Sequence, residues 1–225
     1  MLHYRTTLSY QNRAEKMAYV WDKYQPLLKG KAILDVGCDQ RELTRYLDEQ
    51  AHYWGIDIGG NPDQVVDLEA GPLPFADRAF DTVLCLDVLE HIETIHFIFD
   101  ELCRVAREAI IISLPNAYAD FYHMLQHRDY QPGQALKFYG LPPEKPQDRH
   151  KWFFSLDEAE RFVRYRAEKN GWQVEQFDAI GHKANLVPDD WRERIARLLR
   201  YPRPYRLGFK TRNLTSSTLW TVLRR

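Results

Sequence analysis

The chain is 225 residues long, 44% hydrophobic and 28% charged, with 31 Lys and Arg against 32 Asp and Glu for a formal net charge of -1. A chain of that length buries about 70% of the surface its unfolded form exposes, enough for a core without covalent staples. Cys38, Cys85 and Cys103 form no CxxC pair or Cys/His cluster, and no stretch approaches 18 consecutive apolar residues, which argues against a disulfide framework, a zinc site and a membrane span.

Residues 9–29 place Ala14, Met17, Ala18, Trp21, Tyr24 and Leu28 at spacings of three and four, the stripe of an amphipathic helix stopped by Gly30. KAILDVG then predicts a short buried strand running into a tight turn. RELTRYLDEQA follows as a predicted helix, with Leu43, Tyr46 and Leu47 on one side. HYWGIDI (52–58) predicts the second strand, QVVDLEAG a short third, FDTVLCLD (80–87) a fourth and AIIISLPN (109–116) a fifth. Helical segments VLEHI and IHFIFDELCRVA lie between the last two. Residues 117–150 are rich in aromatic, Pro, His and Gln residues and too long for a plain connection, so they read as a lid or substrate-selecting insertion. Ser155 and Glu158 stand in capping-box spacing at the start of a helix ended by Gly171. Residues 172–181 and 216–223 predict two strands pairing as an antiparallel closing hairpin. Strands alternating with helices at this rhythm imply a doubly wound α/β domain spanning 1–225, whose ligand sits beyond the carboxyl ends of the strands.

Chemistry-bearing residues gather at those ends. Asp35 closes strand 1 and Gly37 follows in the turn, where the missing Cβ admits a ligand and a helix start would offer free N–H groups. Twenty residues beyond Gly37, Asp57 ends strand 2, the place where an acid accepts from both hydroxyls of a ribose. Asp67 ends the predicted third strand, where an adenine amino group would lie. Any one of these acids is often only a cap; three at adjacent strand ends describe a nucleoside-shaped slot.

At these residues the sequence resembles the class I S-adenosylmethionine-dependent methyltransferases, in particular the methyltransferase type 11 group. The resemblance is carried by ILDVGC (33–38), GIDI (55–58), VVDLEAGPLPFADRAFDTV (65–83), LDVLEHI (86–92), LCRVAREAIIISLPN (102–116) and HKWFFSLDEAERF (150–162). It implies a Rossmann-like, mostly parallel sheet of seven strands with the last antiparallel, and S-adenosyl-L-methionine as cofactor. By that match Asp35, Gly37 and Cys38 face the methionine end. Asp57 holds the ribose, Ile58 packs on adenine, Asp67 and Leu68 frame the adenine edge, and Leu86 lines the pocket. The family's acid-x-Gly-x-Gly-x-Gly loop is altered here, with Asp39 and Arg41 in place of the second and third glycines. Arg41 is a candidate partner for the cofactor's carboxylate.

Transfer to a hydroxyl requires alignment and removal of a proton, so His91, in the LEHI run, and His150, at the end of the insertion, are the candidate catalytic residues. Asp87, Glu90 and His91 fall at i, i+3 and i+4, a spacing some quinone-type O-methyltransferases use for metal ligands. Acid-rich helix faces are usually only solvated, and no metal is assigned. Tyr118, Phe121, Tyr122, Tyr130, Phe138 and Tyr139 are candidate walls of an acceptor pocket or packing for the lid.

The net charge hides a split. Residues 189–225 carry 10 basic and 3 acidic residues, the remaining 188 carry 21 and 29. The basic stretch 189–213 holds Arg194 and Arg197 beside Ile195, Leu198 and Leu199, a candidate contact for an anionic surface or architecture for the hairpin. The expected partner is a small-molecule or glycan-type acceptor methylated at oxygen; no nucleic-acid partner is expected. With no apolar leader at the start, a cytoplasmic location is expected. Two alternatives stand beside the enzyme. The stretches at 102–116 and 150–162 also resemble the methionine-biosynthesis protein MetW, implying a regulatory, non-catalytic role with a partner enzyme. A nucleotide-binding dehydrogenase fits less well, because GCDQRE is not GxGxxG.

Overall fold

In a computed structural model, residues 4–127, 138–181 and 212–225 are described. Seven strands form one sheet in the order β3-β2-β1-β4-β5-β7-β6. They are β1 (Ala32–Val36), β2 (His52–Asp57), β3 (Gln64–Val65), β4 (Phe80–Leu86), β5 (Ala106–Pro115), β6 (Gln173–Gly181) and β7 (Ser216–Arg224). Neighbours pair in parallel from β3 to β5, while β7 runs antiparallel to both β5 and β6. The predicted hairpin therefore exists, with β7 inserted between β5 and β6.

Continuous apolar runs build the central strands because both faces are covered. In β1, Ile33 joins a core with Leu84, Ile111, Trp220 and helix α1 (Arg13–Leu28), while Leu34 turns to the opposite core with Val83, Ile110 and helices α2 (Ile95–Val105) and α4 (Leu156–Lys169). Helix α3 (Ala117–His127) opens the insertion. Helix α1 starts at Asn12, whose side chain accepts from the Glu15 N–H, and bends at Tyr24, just before Pro26. It docks through Tyr19 and Tyr24, whose rings lie 5.1 and 5.9 Å from that of the fully buried Trp220.

Three local expectations are corrected. After β1 there is no full helix, only a 3₁₀ turn at Glu42–Arg45. Asp48 diverts the chain by accepting from the N–H groups of Gly30 and Gln50, and this local bonding competes with a helix. The VLEHI run is a 3₁₀ turn, Leu89–His91, preceded by Asp87 at φ 55°, so Asp87, Glu90 and His91 do not share a helix face. Strand β3 stops at Val65, which leaves Asp67 in the following turn, its Oδ1 accepting from the Glu69 N–H at 2.9 Å. Tyr130 and the basic stretch at 182–211 lie outside the described residues. No described helix is long and apolar enough to cross a membrane.

Candidate active site

The carboxyl ends of β1, β2 and β4 open into a cleft of about 1370 Å³. That exceeds the roughly 300–1,000 Å³ of an ordinary single-ligand site, so two molecules have room side by side. Asp35, Gly37, Cys38, Asp57, Ile58, Asp67, Leu68, Leu86, His91 and His150 all line it. The ends of β1, β2 and β4 and the turns that follow β1, β2 and β3 bring the first eight together; the two histidines come from the turn after β4 and from the returning end of the insertion.

The loop after β1 shows how it survives without two glycines. Gly37 has φ 82°, and a Cβ there would come within 2.2 Å of Val88 Cγ2. Asp39 and Arg41 also adopt left-handed backbone, φ 47° and 58°. That conformation costs a non-glycine residue about 1 kcal/mol or more, and it persists because both side chains are anchored. Asp39 Oδ2 meets Arg13 Nη1 at 2.5 Å; Arg41 Nη1 meets Asp63 Oδ1 at 2.9 Å, with its guanidinium 5.4 Å from the centre of the Tyr53 ring. Arg41 is thus engaged away from the role of carboxylate partner that its position suggested.

Asp57 fixes the loop as well as lining the cleft. Its Oδ2 accepts from the Asp39 N–H at 2.8 Å and its Oδ1 from the Gly59 N–H at 3.1 Å. Asp35 is 5% exposed and accepts from the Tyr53 hydroxyl at 2.7 Å. Burial pushes its carboxyl up to about 6, leaving it ionised at neutral pH. Burial also pushes the Cys38 thiol up to about 12, so this sulfur is no nucleophile. Ile58 is 71% exposed, an apolar side chain held open at the cleft edge.

Sequence reading missed the residues that roof and close the cleft. Lys16 of α1 is buried, its Nζ 2.5 Å from Asp87 Oδ2 and 3.1 Å from Ser113 Oγ, which ties the helix over the end of β4. Although burial raises the Asp87 carboxyl, Lys16 holds it below its ordinary value. Glu90 was weighed only as part of a solvated helix face, yet it is 1% exposed, and burial with the nearby Asp87 charge raises its carboxyl well above its ordinary value. No simple pattern marks it, since glutamate is rarely buried.

The histidines meet across the cleft wall. The His91 and His150 rings stand edge to face with centroids 4.5 Å apart. Phe138 stacks on His150 at 4.4 Å, and Tyr139 adjoins it edge-on at 4.9 Å. The Lys151 N–H donates to the Glu90 carbonyl at 2.8 Å, stitching the insertion's end to the turn after β4. Burial lowers the His150 pKa to about 4, assisted by His91, so its imidazole is neutral at pH 7. Tyr118 and Tyr139 both pack on Phe153, a packing role for those two insertion aromatics.

The donor set fits S-adenosylmethionine: a buried carboxylate for a cationic end, Asp57 for a diol and the open apolar Ile58 for a flat base. Residues 4–177 match the family model described as a methyltransferase domain. No curated protein matches the sequence. Among solved structures, the chain is similar to a SAM-dependent methyltransferase from Archaeoglobus fulgidus, at 15% identity over 95% of this chain and 95% of that one, TM-score 0.56. It is similar to an S-adenosylmethionine-dependent methyltransferase from Mesorhizobium loti, at 16% identity over 95% and 99%, TM-score 0.52. It is also similar to magnesium protoporphyrin IX methyltransferase from Synechocystis with bound SAH, at 17% identity over 96% and 90%, TM-score 0.50. At these identities the likeness to solved structures is one of fold.

Proposed function

The chain belongs to the S-adenosylmethionine-dependent methyltransferase family, with that molecule as its cofactor, and from this premise we propose an O-methyltransferase acting on a small-molecule or glycan-type acceptor. The observation that carries the proposal is the continuity of one cleft, from three strand-end and turn acids at one side to two histidines at the other.

When bound, the cofactor supplies an electrophilic methyl group on a cationic sulfur. The chain's residues do the rest. Asp35 and Gly37, with Cys38 packed behind the loop, receive the methionine end. Asp57 accepts from the ribose hydroxyls with the lone pairs left over from Asp39 and Gly59. Ile58, Asp67 and Leu68 frame the adenine, and Leu86, at the end of β4, lines the floor. His91 and His150 stand where an acceptor hydroxyl must lose a proton, and a neutral imidazole is the form able to take it. Phe138 and Tyr139, brought in by the insertion, wall that end and exclude water.

Oxygen is favoured over carbon or an unprotonated amine as acceptor because the buried His150 and the partly buried His91 at the transfer end answer a need for proton removal. The regulatory, MetW-like alternative rests on the stretches at 102–116 and 150–162 and is favoured by the two replaced glycines; the left-handed Asp39 and Arg41, which hold the loop without them, weaken the second ground. The test is calorimetric titration with S-adenosylhomocysteine, followed by methyl transfer to a panel of hydroxyl acceptors. We expect saturable binding that Asp57→Ala weakens at least tenfold, and turnover that His150→Ala reduces by about 10²-fold or more. Binding with no transfer to any oxygen, but transfer to nitrogen or carbon, would sink the O-methyl assignment.

A further inference from the structure

Glu90, His91 and His150 each offer one ligand atom, and these atoms all lie within 4.8 Å of one another. Glu90 Oε1 is 3.8 Å from His91 Nε2 and 4.0 Å from His150 Nε2, both beyond hydrogen-bond reach. The outer partners fix which nitrogen of each ring carries a proton. Asp148 Oδ1 lies 2.6 Å from His91 Nδ1; a carboxylate only accepts, so the proton is on Nδ1. The Tyr139 hydroxyl donates to the Trp152 carbonyl at 3.3 Å, and therefore accepts from His150 Nδ1 at 2.9 Å. Each ring's Nε2 is thereby turned toward Glu90. Glu90 is 1% exposed, and its Oε2 has no hydrogen-bond partner.

A buried carboxyl and two imidazole nitrogens thus converge on one point, too far apart to bond to one another. A buried polar group so placed is left without a partner unless a cation sits among the three. We propose that Glu90, His91 and His150 bind a first-row divalent metal ion at the acceptor end of the cleft, its open positions facing the acceptor's oxygen. Two imidazoles and one carboxylate suit zinc, cobalt or ferrous iron better than magnesium or calcium, which favour all-oxygen sets. Bonds of about 2.1 Å in a tetrahedral site put ligands about 3.4 Å apart, so each imidazole need close on Glu90 by only about half an ångström, and the widest separation in the set by at most about 1.4 Å. Asp148 and Tyr139 stand as the outer partners that orient metal-binding histidines. Asp87 is not a ligand: Lys16 and Ser113 occupy its two oxygens.

The direction of the open positions rests on the methyltransferase reading; the metal site itself does not. A bound cation would draw the acceptor oxygen into place and lower the pKa of its hydroxyl, the task otherwise left to a histidine acting alone. The competing occupant is a proton on Glu90 itself, which burial favours and which a bound metal displaces.

Untagged, chelator-stripped protein titrated with zinc chloride by calorimetry, and with cobalt chloride by visible absorption, tests the site; S-adenosylhomocysteine is titrated into the same samples. We expect one Zn²⁺ per chain, with affinity reduced about 10²-fold or more by Glu90→Gln and by His150→Ala. Asp148→Asn, an exposed change that leaves the ligands intact, is expected to weaken affinity about 10–100-fold and to shift the cobalt spectrum. S-adenosylhomocysteine binding stays unchanged in Asp148→Asn. Wild-type protein that binds S-adenosylhomocysteine but takes up neither metal overturns the metal site and leaves the methyltransferase reading intact. Uptake indifferent to both Glu90→Gln and His150→Ala overturns it equally. Stoichiometric metal uptake without S-adenosylhomocysteine binding would instead strike the cleft's assigned function.

Discussion

Burial raises the Asp35 carboxyl to about 6, while the Tyr53 hydroxyl at 2.7 Å and the charges of Arg13 and Lys16 pull it down. A carboxyl raised from 3.8 to about 6 contributes no penalty below pH 4, where it is protonated in both states. Between pH 4 and 6 stability falls as pH rises, and above 6 the full cost of about 3 kcal/mol is present. The cationic cofactor end proposed to meet Asp35 would offset that cost. Asp35→Asn is therefore expected to raise stability at pH 8, by up to about 3 kcal/mol in urea unfolding, while weakening S-adenosylhomocysteine binding. In the wild type that binding should decline as pH falls through about 6, and in Asp35→Asn the decline should flatten. An unchanged profile in the variant would remove Asp35 from the slot. Asp35, Gly37 and Asp57 were legible in the sequence because acids and glycine at the ends of apolar runs land at the same edge of any parallel sheet. The Glu90, His91 and His150 cluster was not. His91 and Asp148 stand 57 positions apart, and only the folded insertion brings the second histidine and its partners to the first.

At the scale of elements, periodicity found what packing enforces. Strands β1, β4 and β5 are apolar on both faces, and helix α4 buries Leu156, Ala159, Val163 and Ala167 along one stripe. The start of α4 was equally readable: Ser155 Oγ accepts from the Glu158 N–H, and Glu158 Oε2 accepts from the Ser155 N–H at 2.8 Å. Ser155→Ala should cost about 1 kcal/mol, read as a lower urea midpoint with unchanged slope. A change in slope would mean the cap holds more than its own helix. Periodicity failed between β1 and β2, where Leu43, Tyr46 and Leu47 mimic a helical stripe. There, anchored left-handed residues at 39 and 41 and the carboxylate of Asp48 dictate the backbone instead. Side-chain bonding of that kind is decided by neighbours distant in sequence, Arg13 and Asp63 among them.

The whole molecule is closed by its two ends. The Tyr4 N–H donates to Gln176 Oε1 at 2.7 Å, the Trp220 indole donates to the Tyr10 hydroxyl at 3.1 Å, and Lys23 meets Asp178 at 2.6 Å, so the N-terminal segment and α1 lie across β6 and β7 while Lys16 reaches Asp87. The roof of the cleft is therefore part of the global fold, and a ligand held beneath it stabilises the entire structure by mass action. At a hundredfold excess over its Kd, S-adenosylhomocysteine should add about 2.7 kcal/mol. In a chain of this length each kcal/mol moves Tm by roughly 2–4 °C, so the melting temperature should rise by roughly 5–11 °C. Asp57→Ala, weakened at least tenfold, should show about half of that rise or less at the same ligand concentration, because the diol partner is gone. If both proteins shift alike, the ligand is binding away from the strand ends. If neither shifts, the acids of β1 and β2 serve the loop between them, through bonds such as Asp57 to the Asp39 N–H, and the cleft holds no nucleoside.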